Sequence, residues 1–279
     1  MNWFDSHCHL NSFLKKGTLD HVLTNADNEN VSKLTTVGTS QIDWPVYQEL
    51  SKKFRKKIFY SVGLHPCYVD EKFEEEISLL NNFLISKYKP VAVGEIGLDY
   101  YHLPKDETQA CELIEFQKIA FSQQIYIAKE YSLPVIIHSR GAFNDTLNIL
   151  DKADVDWKKV IFHCFSESKI EMRQLNERGG RGSFTGILTY KKNDYLREAI
   201  IHQGIENIIL ETDCPYLSPE TKRGLENEPG NLPIIGDYLA RFIGCELEKI
   251  AENTKGYYET NFAKNSVLSN LESLLSYLI

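Results

Sequence analysis

Eight short apolar segments alternate with longer amphipathic ones, and this alternation limits the possible fold more than any other feature of the sequence. The apolar segments are 3–10, 34–38, 58–66, 90–100, 133–139, 159–166, 182–188 and 207–215. Most are rich in Val, Ile and Phe and almost continuously apolar, which is typical of parallel strands buried on both faces. Between them, segments such as 73–88 and 112–132 carry apolar residues three and four positions apart, which predicts helices.

Eight strand–helix units in a chain of 279 residues predict an α/β protein with a single-domain (β/α)₈ barrel of the TIM type over residues 1–279. A doubly wound open sheet is the alternative. The sequence has no Gly-rich phosphate loop of the dinucleotide or P-loop kind, which weakens that alternative. A chain of this length can bury a substantial core without metal or disulfide staples.

Composition indicates the cellular compartment and limits the kinds of partner that the protein can bind. The six cysteines form no CxxC pair, which favours reduced thiols and a cytoplasmic location. The N-terminus has no signal-peptide pattern, and no apolar run approaches the roughly 18 residues of a membrane helix. The net charge of −8 argues against broad, non-specific nucleic-acid binding. It does not exclude a nucleic-acid enzyme, because a divalent metal centre supplies local positive charge.

Histidines and carboxylates occur where the predicted strands end. In order along the chain they are His7, His9, His65, Glu95, Asp99, His138, His163 and Asp213. In a (β/α)₈ barrel the C-terminal ends of the strands surround the active site. Five of the eight histidines are therefore predicted to meet at one mouth, together with carboxylates.

The pair His7 and His9 indicates a metal ion. Side chains at i and i+2 on a strand point the same way, about 6.5–7 Å apart, so both imidazoles can bind one ion, while Cys8 points away into the packing. Each residue alone has an ordinary interpretation: His163 as a core histidine, Asp213 as a helix N-cap. The whole set has no such ordinary interpretation, because burying so many ionisable groups without a partner costs several kcal/mol for each group.

The number of candidate ligands predicts two ions. Four of these histidines, together with Glu95 and Asp213, make six ligands, which exceed the four of a structural zinc site. Six ligands fit two ions about 3.5–4 Å apart. Glu95, midway around the ring, is the expected bridge. Asp213 is expected to bind an ion and to hold the proton of the attacking water. Mixed imidazole and carboxylate ligands leave the element open among Mg²⁺, Mn²⁺ and Zn²⁺.

These motifs resemble one family. They are "FDSHCHL", "VGLHP", "VGEIGLDYY", "VIIHSR", "FHCFS", "GSFTGILTYKK", "LETDCPYLSP" and "RGLENEPGN", in this order between residue 4 and about residue 262. The chain resembles the TatD-family metal-dependent deoxyribonucleases, which are amidohydrolase-type (β/α)₈ barrels. The resemblance implies two-metal hydrolysis of DNA phosphodiester bonds, from the 3′ end or endonucleolytically, with DNA repair among the possible tasks. No membrane association or obligate protein partner is evident.

The resemblance also implies roles for individual residues. One ion is expected at His7, His9, Glu95 and Asp213, and the other at Glu95, His138 and His163. His65 resembles the family's substrate-contacting histidine. Arg140 and Arg223 are expected to bind a phosphate, with a surface ion pair as the ordinary alternative. Glu211 and Asp5 are expected to lie one layer below the ligands.

Two other functions remain open from the sequence. The same barrel supports hydrolysis of amides and esters, including the ester of aminoacyl-tRNA, because fold alone does not decide chemistry. A metal-stabilised scaffold without turnover is the third possibility. Residues 263–279 carry an apolar stripe, which predicts a terminal helix docked on the barrel, with a dimer contact as the alternative. Residues 100–116 depart from the family pattern, because the basic residues sometimes found in this loop in family members are missing, so contacts of this loop with DNA stay open.

Overall fold

Eight parallel strands form a nearly closed barrel in the computed structural model, which describes residues 1–261. The strands follow one another around the sheet in the order of the sequence, β1 to β8, which confirms the predicted (β/α)₈ barrel of the TIM type. They are β1 Trp3–Cys8, β2 Val31–Thr36, β3 Ile58–Val62, β4 Ala92–Asp99, β5 Val135–Arg140, β6 Val160–Phe162, β7 Arg181–Phe184 and β8 Ile209–Leu210.

Helices connect the strands. They are α1 Asn11–Lys16, α2 Leu19–Asn28, α3 Trp44–Lys53, α4 Phe73–Ser78, α5 Leu80–Leu84, α6 Glu107–Glu130, α7 Phe143–Lys152, α8 Lys169–Arg178, α9 Asp194–Gln203, α10 Leu232–Ile243 and α11 Leu247–Asn261. Short 3₁₀ turns occupy Pro66–Tyr68, Trp157–Lys159, Gly186–Thr189, Ile205–Asn207, Glu220–Lys222 and Pro229–Asn231. Among residues 1–261, no helix combines the length and the apolar character needed to cross a bilayer.

The two predicted segments are helical, but the boundaries of the helices differ from those predicted. The segment 73–88 forms two short helices, α4 and α5, because the chain tightens at Leu79, whose amide donates to Glu76 three residues back. Helix α6 begins earlier than predicted, since the Asp106 side chain caps it by accepting from the amide of Gln109. The domain extent of 1–279 stays a prediction, and the predicted terminal helix at 263–279 lies outside the described residues.

The chain divides into two compact units. The first contains Met1–Thr36, Phe54–Phe59 and Phe162–Thr260. Within it, Trp3 is fully buried and packs directly on Gly236 of α10, where any Cβ would come within 2.1 Å of the Trp3 ring. This contact requires glycine and fixes α10 against β1.

The second unit contains Val37–Lys53 and Tyr60–Ile161. Trp44 is buried in its core and donates a hydrogen bond from Nε1 to the carbonyl of Gly63 at 3.1 Å. All eight residues of β4 are buried, including the two carboxylates Glu95 and Asp99. Such complete burial is the pattern of a central strand in a parallel sheet, and it places both acids where bulk water does not reach.

Gly97 sets the distance between β4 and β5. Its φ is +144°, and a Cβ at this position would lie 2.0 Å from the carbonyl oxygen of His138, its partner in the register of the two strands. No side chain fits that space, and L-residues rarely adopt that φ. Gly97 therefore holds Glu95 and Asp99 beside His138.

We expect Gly97→Ala to lower the free energy of unfolding by about 3 kcal/mol or more, because overpacking and an unfavourable φ add. Gly17→Ala is the matched control: Gly17 also has a positive φ, +71°, but no atom lies within 4 Å of its Cβ position. The control is expected to lose only about 1 kcal/mol. Urea denaturation of the three proteins measures both values, and equal losses would show that the close approach at Gly97 contributes nothing.

Candidate metal centre

Three side chains of the first unit converge at the end of β1. His7 Nε2 and His9 Nε2 are 3.2 Å apart, and Asp213 Oδ1 lies 3.6 Å from the former and 3.2 Å from the latter. Backbone bonds hold the two segments together: the amide of His9 donates to Cys214, and the amide of Asp213 donates to His7. We refer to His7, His9 and Asp213 as the first cluster. Cys8, between the histidines, is fully buried, as predicted.

Asp213 is buried, with 8% of its surface exposed, and its φ of +54° lies in the left-handed region that Asp tolerates better than most residues. Burial alone raises the pKa of its carboxyl group, but the hydrogen bond to His9 and the charges of His7 and His163 outweigh burial and hold the pKa below its usual range. The group is therefore a carboxylate at neutral pH, which both metal binding and proton acceptance require.

Asp5 anchors the segment that carries Asp213. Its carboxylate accepts hydrogen bonds from the amide of Thr212 at 2.9 Å and from the Thr212 hydroxyl at 2.6 Å. Complete burial raises the pKa of Asp5 to about 7, against the lowering effect of these bonds. Asp5 therefore positions the segment that carries Asp213, while its place one layer below the ligands stays a prediction.

His163 and Glu211 extend this arrangement. The ring of His163 stacks on that of His7, with centroids 4.1 Å apart and planes 17° from parallel. Glu211 accepts from the amide of Cys164 and from the hydroxyl of Ser183, each at 2.6 Å, and its Oε1 lies 3.5 Å from His163 Nδ1. With its oxygens engaged by these donors, Glu211 lies beside His163, where a carboxylate behind a metal-binding histidine is commonly found.

A second cluster, His65, Glu95 and His138, lies in the second unit. Glu95 Oε1 is 3.2 Å from His65 Nε2 and 2.8 Å from His138 Nδ1, and donor atoms of the three side chains all lie within 4.8 Å of one another. Glu95 lies in the middle of β4, whereas the sequence predicts it at the end of the strand. Two imidazoles thus face one buried carboxylate.

The hydrogen bonds of His65 indicate its tautomer. His65 Nδ1 accepts from the amide of Cys67 at 3.0 Å, so this nitrogen carries no proton. In the neutral ring the proton then lies on Nε2, which faces Glu95. A protonated nitrogen donates hydrogen bonds and does not ligate metals. His65 is therefore suited to contact a substrate oxygen, in keeping with the role that the resemblance implies.

His138 lies between two carboxylates. Nδ1 faces Glu95 at 2.8 Å, and Nε2 faces Asp99 Oδ2 at 3.0 Å. A neutral imidazole donates from only one nitrogen. If Nε2 donates to Asp99, the lone pair of Nδ1 is directed at a Glu95 oxygen, and a cation between them removes the repulsion. A histidine that binds a metal through one nitrogen and a carboxylate through the other is common in metalloproteins.

Asp99 holds His138 in this orientation and is itself firmly fixed. Its Oδ1 accepts from the amides of Tyr101 at 2.9 Å and His102 at 3.0 Å, and Oδ2 accepts from the His138 and His102 rings. Burial alone raises the pKa of this carboxyl group, but these hydrogen bonds outweigh burial and lower the pKa far below its usual range. In the sequence, Asp99 is recognisable only as a carboxylate at a strand end. Its even spacing from Glu95, which puts both side chains on one face of β4, is the signal of its role.

The donor sets fit divalent metal ions. The first cluster combines two imidazoles with a carboxylate, and the second offers the imidazole of His138 and the carboxylate of Glu95, a mixture that suits zinc and also admits manganese or magnesium. His7, His9 and Asp213 are the residues that would hold one ion, and Glu95 and His138 would contribute to another. The predicted sharing of Glu95, the assignment of His163 to the second ion and the roles of the arginines stay predictions.

Both predicted arginines are exposed and stack on tyrosine rings. The guanidinium of Arg140 lies 4.1 Å from the centroid of Tyr101, and that of Arg223 lies 4.8 Å from the centroid of Tyr190. Arg223 also approaches Glu220 Oε2 at 3.5 Å, so the surface ion pair considered as its alternative is present. Stacking leaves the N–H groups at the edge of each guanidinium able to reach a phosphate.

A (β/α)₈ barrel with imidazole and carboxylate donors beside its strand ends defines a class, the metal-dependent hydrolases built on this fold. Within that class, the family model "TatD related DNase" matches residues 4–263. The chain belongs to this family, as its motifs predicted.

Relatives agree with this assignment. The chain is 32% identical to the metal-dependent hydrolase YcfH of Escherichia coli over 264 residues, covering 93% of this chain and 94% of that protein. It is 31% identical to the metal-dependent hydrolase YabD of Bacillus subtilis, covering 92% and 99%. The crystal structure of YjjV, a TatD homologue from E. coli, superposes with a TM-score of 0.84 at 25% identity over 94% of this chain and 98% of that one. The protein is a TatD-family metal-dependent hydrolase.

We expect Glu211→Gln to weaken binding of Mn²⁺ or Zn²⁺ about 10- to 100-fold, because His163 loses its charged partner while the shape of the side chain is kept. Competition with a fluorescent chelator measures the affinity. Glu198→Gln is the control, since Glu198 is exposed and pairs only with Lys169 among the described contacts. Unchanged affinity in the Glu211 variant would show that this carboxylate has a packing role alone.

Proposed function

We propose that this hydrolase cleaves phosphodiester bonds of DNA, removing nucleotides from 3′ ends. The observation that carries the proposal lies in the second cluster, where His65, a histidine whose Nε2 is the protonated nitrogen, stands beside the metal donor Glu95. The family's name supports a deoxyribonuclease, whereas the relatives YcfH and YabD are named only as metal-dependent hydrolases.

A net charge of −8 requires local cations if DNA is the substrate. When bound, two divalent ions lower the pKa of water toward neutrality and balance charge on the phosphate. Asp213, ionised and buried, accepts the proton of the attacking water. His65 donates to a phosphate oxygen and so orients the phosphodiester. Asp213 thus acts on the attacking water, and His65 acts on the phosphate that the water attacks.

The stack of Arg140 on Tyr101 supports a nucleic-acid substrate. Tyr101 is 68% exposed, and Arg140 stands two residues beyond His138 on β5. An exposed ring offers a face on which a base stacks, while the guanidinium binds a phosphate, and this combination recurs where proteins bind single strands. A free 3′ end presents both an unstacked base and an accessible phosphate.

We expect Asp213→Asn to reduce kcat on 3′-labelled single-stranded DNA about 1,000-fold, the usual scale for loss of a proton acceptor. Asn keeps the shape and tolerates the φ of +54°. The assay uses chelated protein reloaded with Mg²⁺, Mn²⁺ or Zn²⁺, and circular dichroism checks the fold. Asp20→Asn, at an exposed position in the first turn of α2, is the control.

Near-normal, metal-supported nuclease activity in the Asp213 variant would contradict the assignment. A panel of phosphodiester, carboxylate-ester and aminoacyl-tRNA substrates under the same conditions identifies the bond. Turnover of the esters without turnover of DNA would replace the proposed function by ester hydrolysis, and no turnover of any substrate would favour the scaffold.

We expect Arg140→Gln to raise the KM for single-stranded DNA about 10-fold, equivalent to one lost phosphate contact, and to leave kcat within about twofold. Arg173→Gln is the control, because Arg173 is exposed and pairs with Glu177 on α8. Steady-state kinetics at two salt concentrations measure both constants. A fall in kcat without a change in KM would show that Arg140 acts on the reaction rather than on binding.

A further inference from the structure

A third group of metal-binding side chains lies in the second unit, at the surface. Cys67, in the turn Pro66–Tyr68, places Sγ 3.5 Å from Asp99 Oδ2 and 3.8 Å from His102 Nδ1. The last two atoms are 2.8 Å apart. We refer to Cys67, Asp99 and His102 as the Cys67 site. Its donors are a thiol, a carboxylate and an imidazole, and the proposed two-ion centre uses no thiol.

We propose that the Cys67 site binds a further metal ion, of the kind represented by Zn²⁺, separate from the ions of the proposed hydrolytic centre. Zinc combines thiolate, imidazole and carboxylate ligands, with Zn–S near 2.3 Å and Zn–N and Zn–O near 2.0–2.2 Å. A tetrahedral ion with these bond lengths places sulfur about 3.6 Å from each other donor and nitrogen about 3.4 Å from oxygen.

The observed spacings match this geometry with one small adjustment. Both sulfur distances, 3.5 and 3.8 Å, lie within a few tenths of an ångström of the tetrahedral values. The Asp99–His102 contact, at 2.8 Å, is a hydrogen bond that must lengthen as an ion replaces the proton. The His102 side chain is 52% exposed, so its ring has room to move.

Asp99 gives the Cys67 site a rigid base. It is 1% exposed, and two backbone amides fix its Oδ1, which leaves Oδ2 directed at the thiol and the two imidazoles. The backbone of Cys67 is also held, because its amide donates to His65 Nδ1. Two of the three donors are therefore positioned before any ion arrives, which reduces the entropy lost on binding.

The Cys67 thiol lies against the buried carboxylate of Asp99, so a thiolate at this position would stand beside a second negative charge. Zinc binds the thiolate, so binding releases the thiol proton to solvent and places a divalent cation between two negative ligands. Three protein ligands leave one coordination position for water, as in other open zinc sites.

A soft, thiol-containing site discriminates between metals. Mg²⁺ prefers oxygen ligands and gains little from sulfur, whereas Zn²⁺ and Co²⁺ accept it. An ion here would join the segment after β3, which carries Cys67, to the segment after β4, which carries His102. We therefore expect zinc, but not magnesium, to stabilise these two connections.

Cobalt substitution tests the Cys67 site directly. Full-length protein is freed of metal, titrated with Co²⁺ and observed by absorption, because a thiolate–cobalt bond gives an intense near-ultraviolet charge-transfer band that nitrogen and oxygen ligands do not give. We expect the wild-type protein to show this band. Cys67→Ser is expected to lose it and to bind one equivalent of metal fewer, and His102→Ala to weaken it at least tenfold at limiting Co²⁺.

Cys111→Ser is the matched control, since Cys111 is also an exposed, free cysteine but lies on α6 and is not grouped with these donors. Absence of the band in wild-type protein, or its persistence in Cys67→Ser, overturns the proposal; persistence would indicate another thiol as the ligand. A third result, unchanged metal content in Cys67→Ser, also overturns it and identifies the group as a hydrogen-bonded triad. The band does not depend on the DNA assay, so either proposal can fail alone.

Discussion

The compensation of buried charge is the constraint on which the rest of this structure depends. Within the second unit, one strand brings Glu95 and Asp99 out of contact with water, and within the first, Asp5, Glu211 and Asp213 are almost equally buried. An unpaired carboxylate in such a place costs several kcal/mol. Every one of these acids faces a histidine, an amide or a hydroxyl. The histidines and carboxylates that lie side by side are groups that bind one divalent ion together. Metal binding is thus the chemistry that this barrel is built to support.

The fold could be predicted because its signal is repeated. Eight buried parallel strands each produce an apolar run, so an error in one boundary leaves the count unchanged. The boundaries were less predictable. Strands β6 and β8 are far shorter than their apolar runs, since residues such as His163 and Asp213 leave the ladder to reach the site. The split between α4 and α5 was also missed, because the periodicity of apolar residues continues through Leu79 while the hydrogen bonding changes.

The candidate site was predictable where a residue type has few other uses. His7, His9 and Asp213 do lie together, as do His65, Glu95 and His138. Residues that support them were harder to recognise. His102 gave no such signal, because its contact with Asp99 depends on the turn that follows β4, which no local pattern encodes. The tautomer of His65 likewise depends on one backbone amide, that of Cys67, which only the turn after β3 brings into range.

The order of the donors along the chain bears on how the protein matures. His65, Glu95 and His138 are all translated before Asp213, the carboxylate that completes the first cluster with His7 and His9. While residues 139–212 are being made, a nascent chain therefore already contains the side chains of the second cluster but only the two histidines of the first. At translation rates of about 5–20 residues per second, that interval lasts several seconds. A metal ion that meets the chain during this interval encounters Glu95 and His138 before the carboxylate of the first cluster exists.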